Sequence, residues 1–499
     1  MNRDIKRLTQ KVFDLVVVGG GINGAAISHM AANAGLKVAL LEKGDFASGT
    51  SSKSTKLMHG GIRYLENFEF DLVQESLRER YTQFKNAPHL VKPIQFLVPV
   101  YKGDRRSLWK MKLGVLLYDF LSGKFRVGAH QFFTAEQVIE AEPQIKKDDL
   151  AGGISYYDCQ MDDARLVLEN VLSADQKGAC VANYVEVKSF LKENGKVVGV
   201  KASDLFGSAS FEVRAKRVVC ATGPWNDELV FKDNPYAAQK VRTTKGAHLV
   251  YKDALTRNAL LIQSRRDKRI FFVIPWMGHS LIGTTETDFE ESPDQVEVTQ
   301  DDIDYLISEA KRVFPKVHFD PKKIVTTFAA LRPLVYKAGD PNKVSRKHEI
   351  EQSYSGVLYV KGGKYTTYRK IAQDCLKKIL PSFQKNPQYF PVYGSGTIDE
   401  DLHVVSRRFD IDPEIVLFLR GKYGTRYTDV LKLTQEQKDL KERICSCSNT
   451  IRAQVAYSIR CEMAQTIGDI IDRRLGLKYI WCSRGNCRKV IEQMARRLS

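Results

Sequence analysis

Long apolar runs are missing from this 499-residue sequence. No stretch reaches the roughly 18 to 20 consecutive apolar residues that a helix needs to cross a bilayer, so we predict no transmembrane helix. The first seven residues, Met1-Asn-Arg-Asp-Ile-Lys-Arg7, are polar and lack the apolar core of an export signal. We therefore expect a cytoplasmic protein.

Cysteine is scarce, with nine residues at irregular spacing. This pattern excludes the disulfide framework of a small secreted protein. Cys445-Ser-Cys447 and Cys482-x4-Cys487 form two close pairs, but no histidine follows them at the interval of a zinc finger. We interpret these residues as reduced thiols and expect no metal site.

Acidic residues are outnumbered, with 59 Asp and Glu against 77 Lys and Arg, for a formal net charge of +18. Such an excess indicates an anionic partner, namely nucleic acid, an acidic membrane surface or a phosphorylated substrate. An RNA-binding protein would carry a basic stripe interleaved with aromatics, or a recognisable RNA module. Neither is visible in the sequence, so we do not expect nucleic acid as a partner.

A nucleotide-binding unit opens the chain. The apolar strand Leu15 to Val18 leads into Gly19-Gly20-Gly21-Ile22-Asn23-Gly24, which fits G-x-G-x-x-G, and a second strand, Lys37 to Leu41, ends at Glu42. In such a unit the glycines allow a tight turn, close approach of a pyrophosphate and close packing of the following helix. The helix N-terminus attracts the phosphates, and the acid accepts hydrogen bonds from a ribose. The sequence predicts a dinucleotide site here.

A second motif follows, and its sequence is Thr50-Ser-Ser-Lys-Ser-Thr-Lys-Leu-Met-His-Gly-Gly-Ile-Arg-Tyr-Leu-Glu66. With the first motif it resembles the FAD enzymes of the glycine and D-amino-acid oxidase superfamily and, among them, the FAD-dependent glycerol-3-phosphate dehydrogenases. The resemblance covers nearly the whole chain through Cys220-Ala-Thr-Gly-Pro-Trp225, Lys245-Gly-Ala-His248, Phe272-Val-Ile-Pro-Trp276, Ile282-Gly-Thr-Thr285, Leu331-Arg-Pro-Leu334 and Gly362-Gly-Lys-Tyr-Thr-Thr-Tyr-Arg369.

The resemblance implies an α/β body with an additional all-helical domain. Residues 1–390 would hold a discontinuous, Rossmann-like FAD-binding domain, at about 11–95, 150–235 and 355–380. A mixed-sheet substrate (cap) domain would be inserted at about 96–149 and 236–354. A linker at 391–398 would lead to the helical C-terminal domain, 399–499. Within this last domain, periodicity predicts one long helix from Ile451 to Arg474.

The implied activity is oxidation of sn-glycerol 3-phosphate to dihydroxyacetone phosphate, with hydride transfer to flavin N5 and electrons passed to a membrane quinone. A glycerol-3-phosphate oxidase that reduces oxygen is the nearest alternative, because residue types alone do not separate the two acceptors. An amine or amino-acid oxidase is disfavoured by the many cationic side chains near the motifs, and an RNA-binding flavoprotein is the remote alternative. The sequence leaves the oligomeric state open, with a homodimer as the candidate assembly.

The resemblance also implies the residues that hold FAD. Backbone N–H groups at the helix start Gly362-Gly363-Lys364 would stabilise negative charge on the reduced flavin ring. The expected cofactor-binding residues are Gly19, Gly21, Ile22, Asn23, Gly24, Glu42, Lys43, Thr50, Ser51, Ser52, Ala221, Thr222, Gly223, Trp225, Gly363, Lys364, Tyr365, Thr366 and Thr367.

A secondary alcohol needs a base for its hydroxyl proton, and a phosphate needs cations. His59, in a glycine-bounded loop, and His248 are the two candidate bases, and the sequence leaves the choice open. Arg332 and Lys364 complete the expected catalytic set. The expected substrate-binding residues are Arg63, Tyr64, His248, Arg332, Arg346 and Lys364.

The segment 105–126 mixes apolar and aromatic residues with Arg105, Arg106, Lys110, Lys112, Lys124 and Arg126. This pattern is typical of an interfacial, monotopic helix, and equally of a helix half-buried against the protein body. Together with the basic C-terminus it suggests contact with an anionic membrane. We therefore expect peripheral association with the inner face of the cytoplasmic membrane.

Overall fold

The computed structural model describes residues 1–207, 209–336, 347–383, 390–483 and 485–498. Its strands are β1 (Leu15–Val18), β2 (Val38–Leu41), β3 (Leu57–Met58), β4 (Val91–Tyr101), β5 (Gln131–Phe133), β6 (Leu150–Met161), β7 (Cys180–Ala182), β8 (Val185–Glu193), β9 (Lys196–Asp204), β10 (Ser210–Arg214), β11 (Val218–Cys220), β12 (Val241–Tyr251), β13 (Ala259–Gln263), β14 (Ile270–Trp276), β15 (His279–Gly283), β16 (Thr287–Asp288), β17 (Ile324–Val335), β18 (His348–Gln352) and β19 (Leu358–Gly362).

The α-helices are α1 (Ile5–Thr9), α2 (Ile22–Asn33), α3 (Phe70–Asn86), α4 (Leu108–Ser122), α5 (Ala135–Ala141), α6 (Asp163–Gln176), α7 (Asn226–Asp233), α8 (Gln300–Val313), α9 (Tyr368–Ile379), α10 (Leu402–Phe409), α11 (Pro413–Tyr423), α12 (Tyr427–Glu436), α13 (Arg452–Arg460) and α14 (Asn486–Leu498). A π-helix, Asp469–Leu475, lies between the last two, and a 3₁₀ turn, Tyr365–Thr367, precedes α9.

A six-stranded sheet forms the first layer, in the order β18-β19-β11-β1-β2-β7. Its central strands are parallel, and β1 and β2 are buried along their whole length, as is usual for strands covered on both faces. Alternate residues of β1 enter different cores: Leu15 and Val17 face the side of α2, whereas Val16 and Val18 face the opposite side. The carboxyl ends of β1 and β11 therefore meet at one edge, beside α2.

The second sheet is larger and mixed, in the order β16-β12-β15-β14-β13-β4-β6-β3, with β17 also on β12 and β5 on β6. Strand β6 pairs with β4 along its length, although the sequence placed residues 150–161 in the FAD-binding domain. Strand β18 pairs with β19 in the first sheet, although 348–352 were expected in the inserted domain. Long-range strand pairing, which one sequence does not reveal, accounts for both differences.

The C-terminal domain is helical and has its own apolar core, formed by residues of α10 to α14. The prediction of one helix from Ile451 to Arg474 is wrong, because α13 ends at Arg460 and the π-helix begins only at Asp469. The turn between them carries Glu462 into the body of the protein, where its carboxylate oxygens accept two hydrogen bonds of 2.9 Å from Arg165. This buried ion pair requires a break that periodicity does not indicate.

Helix α4 has one buried and one exposed face. Val115, Tyr118, Asp119 and Ser122 face the protein. The opposite face carries large apolar side chains at helical spacing, with Trp109 64% exposed, Leu113 59%, Leu116 46% and Phe120 79%. Across the described residues, no helix is both long enough and apolar enough to span a membrane.

Candidate active site

The glycine motif forms the turn between β1 and α2. A Cβ atom on Gly24 would lie 1.9 Å from the carbonyl oxygen of Gly19, so only glycine allows the helix to pack this closely on the strand end. The N–H of Ile22, at the start of α2, donates to Ser51 Oγ at 3.0 Å. The helix N-terminus, with its partial positive charge, thus faces the hydroxyl-rich loop at Thr50–Ser52.

Glu42 follows β2 and lies beside this turn. Its carboxylate accepts hydrogen bonds from the N–H groups of Gly20 at 2.6 Å and Gly44 at 2.7 Å. Burial raises the pKa of Glu42, and the two amide hydrogen bonds oppose that rise. The carboxylate therefore fixes the loops on both sides while also lining a cavity.

This cavity has a volume of about 600 Å³ and is the larger of two that adjoin each other. Most of the residues expected to bind the cofactor line it. Gly24, Ser52 and Thr367 do not line it, and Thr366 lines a neighbouring cavity instead. Asn23 Oδ1 and Thr222 Oγ1 are buried and have no hydrogen-bond partner within the described part of the chain. Because buried polar atoms are normally paired, these two atoms fit a site that a polar ligand completes.

One wall of the larger cavity is a contact that the sequence did not reveal. Trp225 Nε1 donates to Asp294 Oδ1 at 2.9 Å, and Lys43 Nζ forms an ion pair with the same oxygen at 3.0 Å. Lys43 also lies 4.7 Å from the centre of the Trp225 ring. Asp294 belongs to a loop distant in sequence, so no local pattern could have indicated it.

A smaller cavity of about 230 Å³ adjoins the first, and the lining residues common to both include Gly363, Lys364 and Tyr365. The predicted substrate and catalytic residues that line it are His59, Arg63, Tyr64, His248, Arg332 and Lys364. The structure thus brings together residues from positions 59 to 364 of the chain. Arg346, the remaining predicted residue, lies outside the described residues.

The loop that bears His59 is held by buried partners. The His59 N–H donates to Thr366 Oγ1 at 3.2 Å, and the same hydroxyl donates to the His59 carbonyl at 3.3 Å. The next amide, of Gly60, donates to Asp158 Oδ1 at 3.0 Å, and that oxygen also accepts from Arg80 at 2.8 Å. Sequence analysis did not identify Asp158 and Arg80, because neither residue lies in a motif.

His248, on β12, is almost fully buried and stacks on Phe328 of the paired strand, with 5.0 Å between ring centres. Its Nε2 lies 2.9 Å from Thr55 Oγ1. Burial lowers the pKa of His248 to about 3, with a further contribution from the charges of Arg332 and Lys56. His248 is therefore neutral at physiological pH.

Arg332, on β17, shares a face of the sheet with His248. Its Nη2 donates to Thr284 Oγ1 at 3.0 Å, and its Nη1 lies 3.6 Å from Glu286 Oε1. A Cβ on Gly246 would lie 2.5 Å from Arg332 Nη2, so the guanidinium group occupies the space above that glycine.

Arg63, Tyr64 and Lys364 form another cationic part of the wall. Lys364 Nζ lies 3.8 Å from the centre of the Tyr64 ring and donates to Ser76 Oγ at 3.1 Å. Arg63 Nη2 donates to Tyr64 OH at 3.4 Å. The ring therefore holds two cations close together, a geometry suited to an anionic ligand.

Lys56 connects this region to the C-terminal domain. Its buried ammonium group donates to Asp163 Oδ1 and to the carbonyl of Ser52, both at 2.7 Å, and to Tyr479 OH at 3.2 Å. Burial lowers the pKa of Lys56, but the attraction and hydrogen bonds of Asp163 and Tyr479 together outweigh this effect, so the pKa is raised. Lys56 stood inside the second motif, but its partners lie too far along the chain to be inferred.

Two family models together match most of the chain. The first, described as FAD dependent oxidoreductase, matches residues 14–368. The chain belongs to the FAD dependent oxidoreductase family. The second model, the C-terminal domain of alpha-glycerophosphate oxidase, matches residues 387–499 of this family member.

Named relatives of this oxidoreductase include a glycerol-3-phosphate dehydrogenase of Synechocystis, 36% identical over 96% of this chain and 91% of the relative. An aerobic glycerol-3-phosphate dehydrogenase of Staphylococcus aureus is 35% identical over 95% of this chain and 88% of the relative. The solved glycerol-3-phosphate dehydrogenase of Bacillus halodurans, complexed with FAD, is 30% identical, covers 99% of this chain and 92% of its own, and has a TM-score of 0.82. The expected fold class and the expected cofactor, FAD, are confirmed.

Proposed function

We propose that the protein oxidises sn-glycerol 3-phosphate to dihydroxyacetone phosphate with FAD. The observation that carries this proposal is the smaller cavity, which joins two histidines to four cationic residues and adjoins the cofactor cavity. Both features fit a small alcohol that bears a phosphate. The relatives at 35% and 36% identity, which carry the name of this activity, support the same substrate.

The cations would bind the phosphate. Guanidinium groups match phosphate oxygens in a fork, so Arg332 and Arg63 are the favoured contacts. Thr284 and Glu286 hold the guanidinium group of Arg332 in place, which limits the reorientation that binding requires. Lys364, at the junction of the two cavities, would contact the substrate oxygen nearest the cofactor.

We assign the base to His59. A general base works best when its pKa is close to the working pH, and the pKa of His248, at about 3, is far below it. His248 Nε2 is also engaged with Thr55. His59 lines the cavity on a loop whose backbone is fixed by Thr366, so the position of the residue is set. His248 would orient the substrate as a neutral hydrogen-bonding group.

FAD would be held in the larger cavity, with its phosphates at the start of α2 and its ribose near Glu42. When bound, FAD supplies the hydride acceptor for the alcohol carbon. The chain would contribute the backbone amides of Gly363 and Lys364, which stabilise negative charge at the adjoining end of the cavity. Gly24, Ser52 and Thr367 would act by shaping the cradle, since they do not line it.

The electron acceptor would be a membrane quinone, reached through helix α4. Its exposed stripe of Trp109, Leu113, Leu116 and Phe120 would enter the interfacial layer of the cytoplasmic membrane, on its inner face. Flanking Lys and Arg residues would add roughly 1 kcal/mol each near anionic lipid. In α14 the apolar face packs into the C-terminal core, so the basic C-terminus would contribute charge alone.

The decisive experiment adds sn-glycerol 3-phosphate to the purified flavoprotein without oxygen and follows the flavin absorbance. We expect bleaching by this compound and none by glycerol, which lacks the phosphate. A flavin that stays oxidised would overturn the proposed substrate. Re-oxidation by a soluble quinone analogue, with little hydrogen peroxide in air, is expected for a dehydrogenase, whereas stoichiometric peroxide would identify an oxidase.

A further inference from the structure

Four cysteines of the C-terminal domain converge on one point. Cys445 and Cys447 lie in a loop that the bridge between Arg443 and Ile451 closes. Cys482 lies just after the turn Leu477–Tyr479, and Cys487 lies in the first turn of α14. The four Sγ atoms all lie within 4.8 Å of one another.

The sulfur separations suit one tetrahedral centre. Cys447 and Cys482 place their Sγ atoms 3.2 and 3.4 Å from Cys487 Sγ, and Cys445 Sγ lies 3.9 Å from Cys482 Sγ. Zinc–sulfur bonds of about 2.3 Å in a tetrahedron place the sulfurs roughly 3.8 Å apart. Apart from the shorter contact between Cys445 and Cys487, these separations are close to that value.

A disulfide bond is the alternative to a metal centre, because the sulfur atoms of Cys445 and Cys487 lie close enough to form one. A disulfide uses two sulfur atoms, however, and gives no reason for Cys447 and Cys482 to lie against the same pair. By contrast, a metal centre uses all four. Both pairs also come from short local segments, Cys-x-Cys and Cys-x4-Cys, so each segment would supply two neighbouring ligands.

The group lies in a basic part of the chain. Cys487 is in the first turn of α14, and the N-terminus of a helix carries a partial positive charge that attracts an anionic centre. Residues 441–499 contain 12 Lys and Arg against five Asp and Glu. Four thiolates with one divalent ion carry a net charge of −2, which this basic segment balances.

We propose that Cys445, Cys447, Cys482 and Cys487 bind a metal centre, of zinc or of iron. Four soft thiolate ligands in a tetrahedron select these two metals. The expectation of unbound thiols from sequence rested on the lack of a histidine, which an all-cysteine site does not need. The centre would tie the Cys445–Cys447 loop to the segment that carries Tyr479, whose hydroxyl donates to Ser52 beside the cofactor cavity.

The test is metal analysis of the full-length flavoprotein, purified without oxygen and without chelators. We expect about one zinc per chain, or iron with acid-labile sulfide if the centre is an iron–sulfur cluster. Cys447→Ser and Cys482→Ser should each lower the metal content at least tenfold. Cys461→Ser is the matched control, because this half-buried thiol of the same domain lies outside the group, and it should keep the metal.

A second measurement covers variants that fail to fold. The reduced wild-type protein is titrated with Co²⁺, and tetrahedral thiolate coordination gives intense visible bands. Metal-free wild-type protein that binds neither Co²⁺ nor zinc, and forms no cluster with iron and sulfide, would overturn the proposal. So would an intact Cys445–Cys487 disulfide, found by mass spectrometry in the protein prepared without oxygen.

Discussion

The guanidinium group of Arg332 lies directly above Gly246, so closely that a Cβ there would be 2.5 Å from Nη2. Strands β12 and β17 pair at this point, with Gly246 opposite Ala330. A side chain at position 246 would fill the space that Arg332 uses. The absence of a side chain at Gly246 on β12 thus leaves room for the guanidinium group of Arg332 on β17.

Gly246→Ala is therefore expected to displace Arg332 and to weaken binding of the phosphate. We expect kcat/KM for glycerol 3-phosphate to fall tenfold or more, which corresponds to about 1.4 kcal/mol, with unchanged FAD content. Arg332→Ala should raise KM and slow the reaction in the same direction. Gly421→Ala is the control, because its nearest neighbour would be 3.9 Å away. Normal kinetics in Gly246→Ala would contradict the proposed contact between Arg332 and the substrate.

The two histidines are distinguished by substitution and by pH. His59→Gln should lower kcat by roughly 10²- to 10⁴-fold, because it removes the base, and should leave FAD content unchanged. His248→Gln should act mainly on KM and keep the acid limb of the pH–rate profile, since the pKa of His248 lies at about 3. His403→Gln, at an exposed position, is the control. The opposite pattern would transfer the base role to His248.

The exposed stripe of α4 predicts membrane binding that two substitutions can abolish. Leu113→Asp with Phe120→Asp removes two large apolar contacts, worth about 3 kcal/mol or more together. Binding to anionic vesicles in a flotation assay should fall at least tenfold, while flavin reduction by substrate stays normal. Leu417→Asp, at a similarly exposed leucine of α11, should bind vesicles like the wild type. If the double variant binds vesicles as well as the wild type does, α4 is excluded as the membrane contact.

Buried charges between the domains predict a large stability effect. Glu462→Gln leaves Glu169 as the remaining carboxylate partner of Arg165, and loss of one partner of a buried pair costs about 3–5 kcal/mol. Glu436→Gln is the control, because its pair with Arg460 at 3.1 Å is exposed and should contribute at most about 1 kcal/mol. Thermal or urea unfolding measures both. Equal losses of unfolding free energy in the two variants would contradict a special role for the buried pair.

His89 predicts a loss of stability in acid. Burial, with the nearby charges of Arg165 and Arg426, lowers its pKa to about 3. Below pH 6.5 the unfolded chain binds a proton that the folded chain refuses, so stability falls as pH falls towards 3. Between pH 7 and 5 the wild type should lose about 2 kcal/mol more than His89→Gln. Identical pH dependence of the two unfolding midpoints would exclude His89 as a cause.

Sequence analysis succeeded where chemistry is local. Gly19 to Gly24 follow one another in the chain, and their roles depend on a turn and a helix start that neighbouring residues determine. The residues around the smaller cavity were found through the family resemblance, which supplied the long-range information. Their individual roles remain predictions.

Long-range partners could not be predicted. Asp158, Asp163 and Glu462 pair with residues 98, 107 and 297 positions away, respectively. No periodicity connects such positions, and tertiary contacts override local helix propensity, as the break after Arg460 shows. The convergence of the four cysteines from two separate segments could not be predicted for the same reason, because it is a property of the folded chain.

The bond between Asp45 and the C-terminal domain has a consequence for biosynthesis. Asp45 is fully buried in the loop after β2 and accepts hydrogen bonds from Arg473 at 2.6 Å and from Arg474 at 2.6 and 2.9 Å. A ribosome makes these two arginines more than four hundred residues after Asp45. During translation the nucleotide-binding unit therefore carries an uncompensated carboxylate until the helical domain emerges. The loop after β2 can therefore complete its hydrogen bonds only after the helical domain has been made.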